Sequence, residues 1–436
     1  MRLDSIVLKN YRGFRHLPIK FQPGFNVLAG VNGSGKTSIL KGAREALTGL
    51  TYHLSLPNSN LAPFGEAGSV RVESIVAAGR YRFEEQYPAQ VDVVGEAFGK
   101  ALAWSVAKIN SAGGMQLDGQ QPGALWHAAF SGQNADDTPS TADRALPIVA
   151  FYPAYRLWPH AQVNEMVAAT ERPSRMDGYR YWWEAAGDSL ALQQWAISKS
   201  MERLQLTSER SVRWDEVDDD ELGMVNTALA AVVEGGKGIR YDFSQKTLLI
   251  EWLGEVPPTE FRFLSDGQRV AIALVADIAR RMCLLNPHLG QSVTQKTPGV
   301  VLIDELDVHL HPRWQRLMTK GLQAAFPQVQ FIVTSHSPQV LGELQPQQII
   351  LLSQEGITHP PVSYGLDASR VLAQIMDANQ RSTEVEKALS ALFESLERNE
   401  LGRARGYLSN LKTVAPGIPE LAGAEALLKR KEVLGR

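Results

Sequence analysis

Eight residues near the amino terminus, Gly30-Val31-Asn32-Gly33-Ser34-Gly35-Lys36-Thr37, constrain this chain more than any other stretch. They read as glycine, four residues, then Gly-Lys-Thr, with an apolar strand-like run at 25–29 before them and a helical pattern at 37–48 after. In that setting glycines let backbone N–H groups converge at a helix N-terminus, where the dipole favours negative charge. The bland alternative is a glycine turn that happens to precede a lysine, and the flanking strand and helix count against it. Lys36 is then placed to reach the β- and γ-phosphates of a nucleotide, and the Thr37 hydroxyl to bind Mg2+. Gly30, Asn32, Gly33, Ser34, Gly35 and Ser38 fall in the same phosphate-binding stretch.

A second motif lies far downstream. Val300-Val301-Leu302-Ile303-Asp304-Glu305 is a buried-strand pattern that ends in two acids. Carboxylates at the carboxyl end of a parallel strand sit in the crevice where ligands bind. Asp304 is expected to hold Mg2+, directly or through water, and Glu305 to polarise the attacking water as general base. An isolated apolar-Asp-Glu run is weak evidence; downstream of a phosphate loop it becomes strong.

The most discriminating segment is Phe263-Leu264-Ser265-Asp266-Gly267-Gln268-Arg269. It resembles the Leu-Ser-Gly-Gly-Gln signature of ABC ATPases at the start of a helix. The resemblance implies that Ser265, Gly267 and Gln268 approach the γ-phosphate held by a second copy, so that two chains dimerise head to tail around ATP and Mg2+. Asp266 replaces the usual glycine and brings a negative charge near that phosphate. Phe331-Ile332-Val333-Thr334-Ser335-His336 resembles the family's switch segment and makes His336 the γ-phosphate sensor. Leu306-Asp307 occupies the place of the D-loop, which contacts the partner subunit. His309 and His311 are read as packing or dimer contacts, because no third metal ligand stands nearby. The family also carries a glutamine after an intervening strand. The matching place, Phe151-Tyr152-Pro153-Ala154-Tyr155-Arg156, has none, which leaves Tyr152 and Arg156 as candidates to substitute.

Asn10-Tyr11-Arg12-Gly13-Phe14 resembles the opening of the recombination and chromosome-maintenance branch (SMC/RecF-like), and adds Arg12 to the nucleotide-contacting set. No long heptad array separates the motifs, so the chain is closer to compact repair ATPases. The segments His309-Leu310-His311-Pro312-Arg313-Trp314-Gln315 and His336-Ser337-Pro338-Gln339-Val340-Leu341 narrow the likeness to the ATPase subunit of Septu-type antiphage systems, some encoded beside retrons. That resemblance implies a separate HNH-type nuclease subunit as partner. The alternative is a RecF-like repair ATPase that binds DNA directly. A transporter cassette fits the Arg12 opening and the His336 context poorly.

Bulk properties agree. The lone cysteine, Cys283, excludes an internal disulfide or a cysteine-based zinc site and suits a reducing cytoplasm. A net charge of −3 gives no global pull toward nucleic acid. No run of about 18 apolar residues predicts a membrane span.

The expected fold is α/β: an ABC ATPase core with a mostly parallel sheet, an N-terminal antiparallel β subdomain, a helical signature lobe and C-terminal helices. The ATPase domain is placed at 1–355 with the helical lobe inserted at about 157–290, and a helical region with a docking role at 356–436. Hairpins are expected at 69–84 and 240–252, a long surface loop at about 112–142, helices across 179–233, and one strand after His336, at 349–352. Asp218-Asp219-Asp220 reads as a solvated turn.

Overall fold

The computed structural model describes residues 1–51, 64–77, 80–113, 115–119, 144–156, 158, 163–170, 172–187, 189–353, 356–376 and 382–434. It divides into two compact units, Met1–Asp367 and Ala368–Arg436. The first opens with β1 (Arg2–Tyr11), β2 (Phe14–Lys20) and β3 (Phe25–Gly30), followed by helix α1 (Lys36–Thr51). A two-stranded ribbon, β4 (Val72–Ala77) and β5 (Arg80–Glu85), precedes the long strands β6 (Ala89–Ala97) and β7 (Lys100–Lys108), then β8 (Met115–Gly119). After β9 (Ile148–Tyr152) come α2 (Ser189–Arg210), α3 (Glu221–Val232) and strands β10 (Gly236–Asp242), β11 (Thr247–Trp252) and β12 (Thr259–Glu260). Helix α4 (Asp266–Leu285), β13 (Gly299–Ile303), α5 (Pro312–Ala325), β14 (Val329–Thr334), β15 (Ile349–Ser353) and β16 (Gly356–Thr358) complete the elements that matter here.

The central sheet runs β16-β15-β3-β14-β13-β9, parallel except for β16. β9, β13 and β14 are buried along their whole length, as apolar runs covered on both faces must be. An antiparallel sheet, β2-β1-β6-β7-β8, forms the second layer. In β6 burial alternates through Ala89, Val91, Val93, Gly95 and Ala97, the period of a sheet with one covered face. Helix α1 lies between the two sheets and buries Ile39, Leu40, Ala43, Ala46 and Leu47, an i, i+1, i+4, i+7, i+8 stripe.

The expected α/β class and sheet composition hold, with several differences in detail. β6 and β7 were not anticipated, and β16 adds a second strand after His336. The inserted lobe is not purely helical, since β10–β12 form a three-stranded sheet within it. Asp220 does more than fill a solvated turn: it caps α3 by accepting from the Gly223 N–H and pairs with Arg203. Most of the surface loop expected at 112–142, and the turn between β4 and β5, lie outside the described residues. Among the described residues no helix is long and apolar enough to cross a membrane.

The second unit holds α6 (Thr383–Glu397), α7 (Leu401–Val414) and α8 (Glu420–Leu434). Leu389, Leu392, Leu396, Leu408, Leu411 and Leu428 form a core of their own.

Candidate functional site

The phosphate-loop candidate leaves the carboxyl end of β3 and turns directly into α1. Gly33 and Gly35 have φ of 80° and 98°, a region open to glycine and strained for other residues. A Cβ on Gly35 would also lie 2.4 Å from the Phe14 ring, so the turn between β1 and β2 rests on the loop. Asn32 and Gly33 are exposed, and Ser34, Gly35 and Ser38 are half-buried. The Ser34 hydroxyl is buried with no hydrogen-bond partner. Lys36 folds back over the loop, donating to the Gly30 and Val31 carbonyls at 3.0 and 2.9 Å. Burial lowers the lysine's pKa, against the pull of Asp304 and Glu305.

Strand register delivers the acids. Leu302 and Ile303 pair with Phe151 and Tyr152 on one side and with Ile332 and Val333 on the other. Asp304 and Glu305 therefore emerge beside Thr334, in the crevice at the strand ends. Thr37 Oγ1 donates to Asp304 Oδ1 at 3.1 Å, and Thr334 Oγ1 donates to the same oxygen at 2.7 Å. The Thr334 hydroxyl in turn accepts the Glu305 N–H at 2.6 Å. Glu305 itself adopts φ of 49°, a conformation that costs a non-glycine residue about 1–3 kcal/mol.

What holds that turn is Arg156. Its guanidinium donates to the Asp304 and Glu305 carbonyls, the latter at 2.7 Å. Burial pulls the Arg156 pKa down to about 10, against Asp304, Asp307 and Glu305. Neither candidate substitute for the missing glutamine therefore offers an oxygen to Thr37 and Asp304. Arg156 has no acceptor atom, and the Tyr152 hydroxyl donates instead to Asp277 at 2.8 Å.

His336 is half-buried within the electrostatic reach of the same groups. Burial, then Lys36, lowers its pKa below the ordinary 6.5, with Asp307, Glu305 and Asp304 opposing. The imidazole is thus neutral at pH 7. Asp307 follows in the same turn with one carboxylate oxygen buried and unpartnered.

The signature segment sits elsewhere. Ser265 caps α4 through a reciprocal box with Gln268, accepting from its N–H at 3.3 Å while Gln268 Oε1 accepts the Ser265 N–H at 3.1 Å. Gly267 is packed so tightly that a Cβ would meet the His309 carbonyl at 2.1 Å. Asp266 points to solvent and pairs with Arg269 at 3.7 Å. No hydrogen bond or ion pair among the described residues joins Ser265, Gly267 or Gln268 to Lys36, Thr37, Asp304 or Glu305. Downstream, Asp277 on α4 is fully buried between Arg280 and Arg281. Burial pushes its pKa up, but Arg281 and Arg280 outweigh this and hold the carboxyl below its usual range. With the Tyr152 bond, this network ties the signature helix to β9. His311 caps α5, its Nδ1 accepting from the Arg313 N–H at 3.3 Å.

Arg12 also stands apart from the Lys36–Asp304 cluster. It pairs with Glu66 at 3.1 Å, together with Lys41 and with Arg44 at 2.6 Å. Burial opposes ionisation of Glu66, but hydrogen bonds from Lys41 and Arg44 bring its pKa down to about 2.

Residues 5–180 match a family described as "AAA domain", and residues 187–342 one described as "AAA domain, putative AbiEii toxin, Type IV TA system". The "Retron Ec83 probable ATPase" of Escherichia coli is 25% identical over 427 residues, which cover 88% of this chain and 78% of that one. The "Retron Vc95 probable ATPase" of Vibrio cholerae serotype O1 biovar El Tor is 38% identical over 31% of this chain and 26% of its own length. "Septu protein PtuA" of Bacillus mycoides (strain KBAB4) is 42% identical over 21% of this chain and 12% of its own.

Proposed function

We propose, from the premise that the chain is an ABC-type ATPase of the SMC/RecF-like branch akin to those of retron and Septu systems, that ATP drives its head-to-tail dimerisation and thereby controls a separate nuclease subunit. One observation carries the reading: Thr37, Asp304, Thr334 and Glu305 are hydrogen-bonded in one chain beside Lys36, while Ser265 and Gln268 are bonded only among themselves. A site so divided needs a second copy to bring the signature helix to the phosphates.

The oxygen donors present fit Mg2+: the Thr37 hydroxyl and the Asp304 carboxylate are hard ligands already in contact. Bound Mg2+ would neutralise charge on the phosphates. Lys36 would exchange its two loop carbonyls for phosphate oxygens, and the unpartnered Ser34 hydroxyl is available to donate beside it. Gly30, Asn32, Gly33, Gly35 and Ser38 would supply the rest of the cradle. Glu305 would take a proton from water at its carboxylate, its position set by Arg156 and Thr334 through the backbone. Neutral His336 could donate one hydrogen bond to a terminal phosphate oxygen without adding a charge. Asp266, turned outward, leaves the anion site to Ser265, Gly267 and Gln268. Arg12 would join only by leaving Glu66.

The nuclease partner is inferred from the retron and Septu likeness, and the unit Ala368–Arg436 is the proposed docking element. Glu305→Gln is expected to slow ATP turnover by about 10²–10⁴-fold while nucleotide affinity stays and ATP raises the dimer fraction in sedimentation. Unchanged turnover removes Glu305 from the role of base. Salt-sensitive DNA binding by the purified chain, with no co-purifying nuclease from its native locus, would replace this reading with the repair-type one.

A further inference from the structure

The β4–β5 ribbon pairs with no other strand. Its register sets Ser74 opposite Phe83 and Val76 opposite Tyr81, so these four side chains share one face. Val76, Tyr81 and Phe83 are 65%, 74% and 72% exposed. A two-stranded ribbon is marginal in water on its own, and a contiguous apolar face on one marks a surface meant to be covered. A second apolar patch lies across the lobe: Leu253 and Val256 after β11, and Phe263 just before the signature, are 59%, 55% and 69% exposed. The Phe263 ring is held in place by the Arg262 guanidinium, 4.7 Å from its centroid, which Glu260 anchors at 2.7 Å.

The two patches have different roots. The ribbon springs from the turn over the phosphate loop: Arg71 N–H donates to the Asn10 carbonyl at 2.9 Å, and Gln86 N–H to the Arg71 carbonyl at 2.8 Å. Asn10 and Arg71 adjoin the turn whose Phe14 ring covers Gly35. The other patch is continuous with Ser265. When the phosphate loop of one copy faces the signature of another, a feature rooted beside the loop meets a feature rooted beside the signature.

We propose that the apolar face of the ribbon packs on the Leu253, Val256 and Phe263 patch of a second copy, once at each nucleotide site of the dimer. The assignment rests on the head-to-tail reading above. Charge at the margins agrees, with exposed Arg80 at the ribbon end and exposed Glu255 within the patch. Nucleic acid is a poorer occupant, because Glu73 and Glu84 balance Arg80 and Arg82 on the ribbon's other face. The contact would make dimer stability depend on apolar burial as well as on ATP.

The test uses the full chain carrying Glu305→Gln, with ATP and Mg2+, and reads the dimer dissociation constant by sedimentation. Tyr81→Ser with Phe83→Ser, and separately Phe263→Ser, should each weaken the dimer by on the order of tenfold or more. Combining them should add less than the sum, because both delete one contact. Monomer affinity for a fluorescent ATP analogue should not change, which shows that the variants fold. Phe83→Cys and Phe263→Cys in one chain should cross-link between copies with a short bismaleimide only when ATP is present; Cys283 is buried and leaves the background low. Wild-type dimer affinity in both serine variants, without that cross-link, overturns the proposal while leaving head-to-tail dimerisation intact. Loss of a co-purifying nuclease with dimer affinity unchanged assigns the ribbon to that partner and also overturns it. If Glu305→Gln never dimerises with ATP, the head-to-tail reading itself falls, and this occupant with it.

Discussion

Thr334 is almost fully buried, and its single hydroxyl both donates to Asp304 and accepts from the Glu305 backbone. Thr334→Val keeps the shape and removes both bonds, leaving a buried N–H without a partner, at a cost of about 1–3 kcal/mol. Since that N–H positions the proposed base, turnover should fall by about 10–100-fold with ATP affinity nearly unchanged. Thr334→Ser restores the hydroxyl and should recover most of the rate. Steady-state kinetics with a parallel nucleotide titration checks both, and equal losses in the two variants would rule out the hydroxyl as the cause. This residue also marks where sequence reading stops. Thr37 and Asp304 were legible because each chemistry needs one residue type at a fixed spacing, and the structure bonds them to one another. Thr334 was visible only as the last residue of a strand, and Arg156 only as a stand-in for a missing glutamine. Both act on backbone groups brought near by register, which linear spacing does not encode. Asp277 was hidden for a similar reason: one acid in an apolar helix reads as an anomaly until Tyr152, Arg280 and Arg281 are found around it.

At the level of elements, the signature helix shows how packing fixes what propensity leaves open. α4 is buried nearly throughout, so amphipathic patterning says little about how it is oriented. Its start is set by the Ser265–Gln268 box and by Gly267, whose missing side chain admits the His309 carbonyl, in the turn that follows Glu305. Gly267→Ala would drive a Cβ to within 2.1 Å of that oxygen, so one of the two segments has to move. Destabilisation of about 1–3 kcal/mol is expected from forced overpacking of this kind, with ATP-driven dimerisation lost at conditions where the fold persists. Thermal unfolding followed by sedimentation with ATP separates the effects; normal dimerisation would show that the signature tolerates the shift. The strands were legible where the pattern was unambiguous: β3, β13, β14 and β15 are short apolar runs that only a buried parallel sheet accommodates. β6 and β7 escaped because Val91, Val93, Leu102 and Trp104 alternate with polar residues in a stretch without strong turn signals other than Phe98-Gly99. The sheet β10–β12 was anticipated as a hairpin, but its place inside the signature lobe follows from tertiary packing against α3.

The whole chain joins two units of unequal self-sufficiency. Met1–Asp367 contains both sheets, the phosphate loop, the acids and the signature helix, with two layers around a continuous core. Ala368–Arg436 relies on three helices around a leucine core, and exposed ion pairs such as Arg403–Glu400 and Lys412–Glu425 add little to it. Below about 70–80 residues a single core rarely supplies more than about 3–5 kcal/mol, so the second unit alone should be marginal while the first should not. Ending the chain at Asp367 is therefore expected to leave nucleotide affinity unchanged and to keep a cooperative calorimetric transition. If the helices dock the nuclease, the same truncation loses the co-purifying subunit while basal ATP turnover survives. A truncated chain that aggregates or no longer binds ATP would instead make the three helices part of the ATPase fold. A truncated chain that still retains the nuclease would place the docking surface within Met1–Asp367, and the control of the nuclease would then have to be sought beside the nucleotide site.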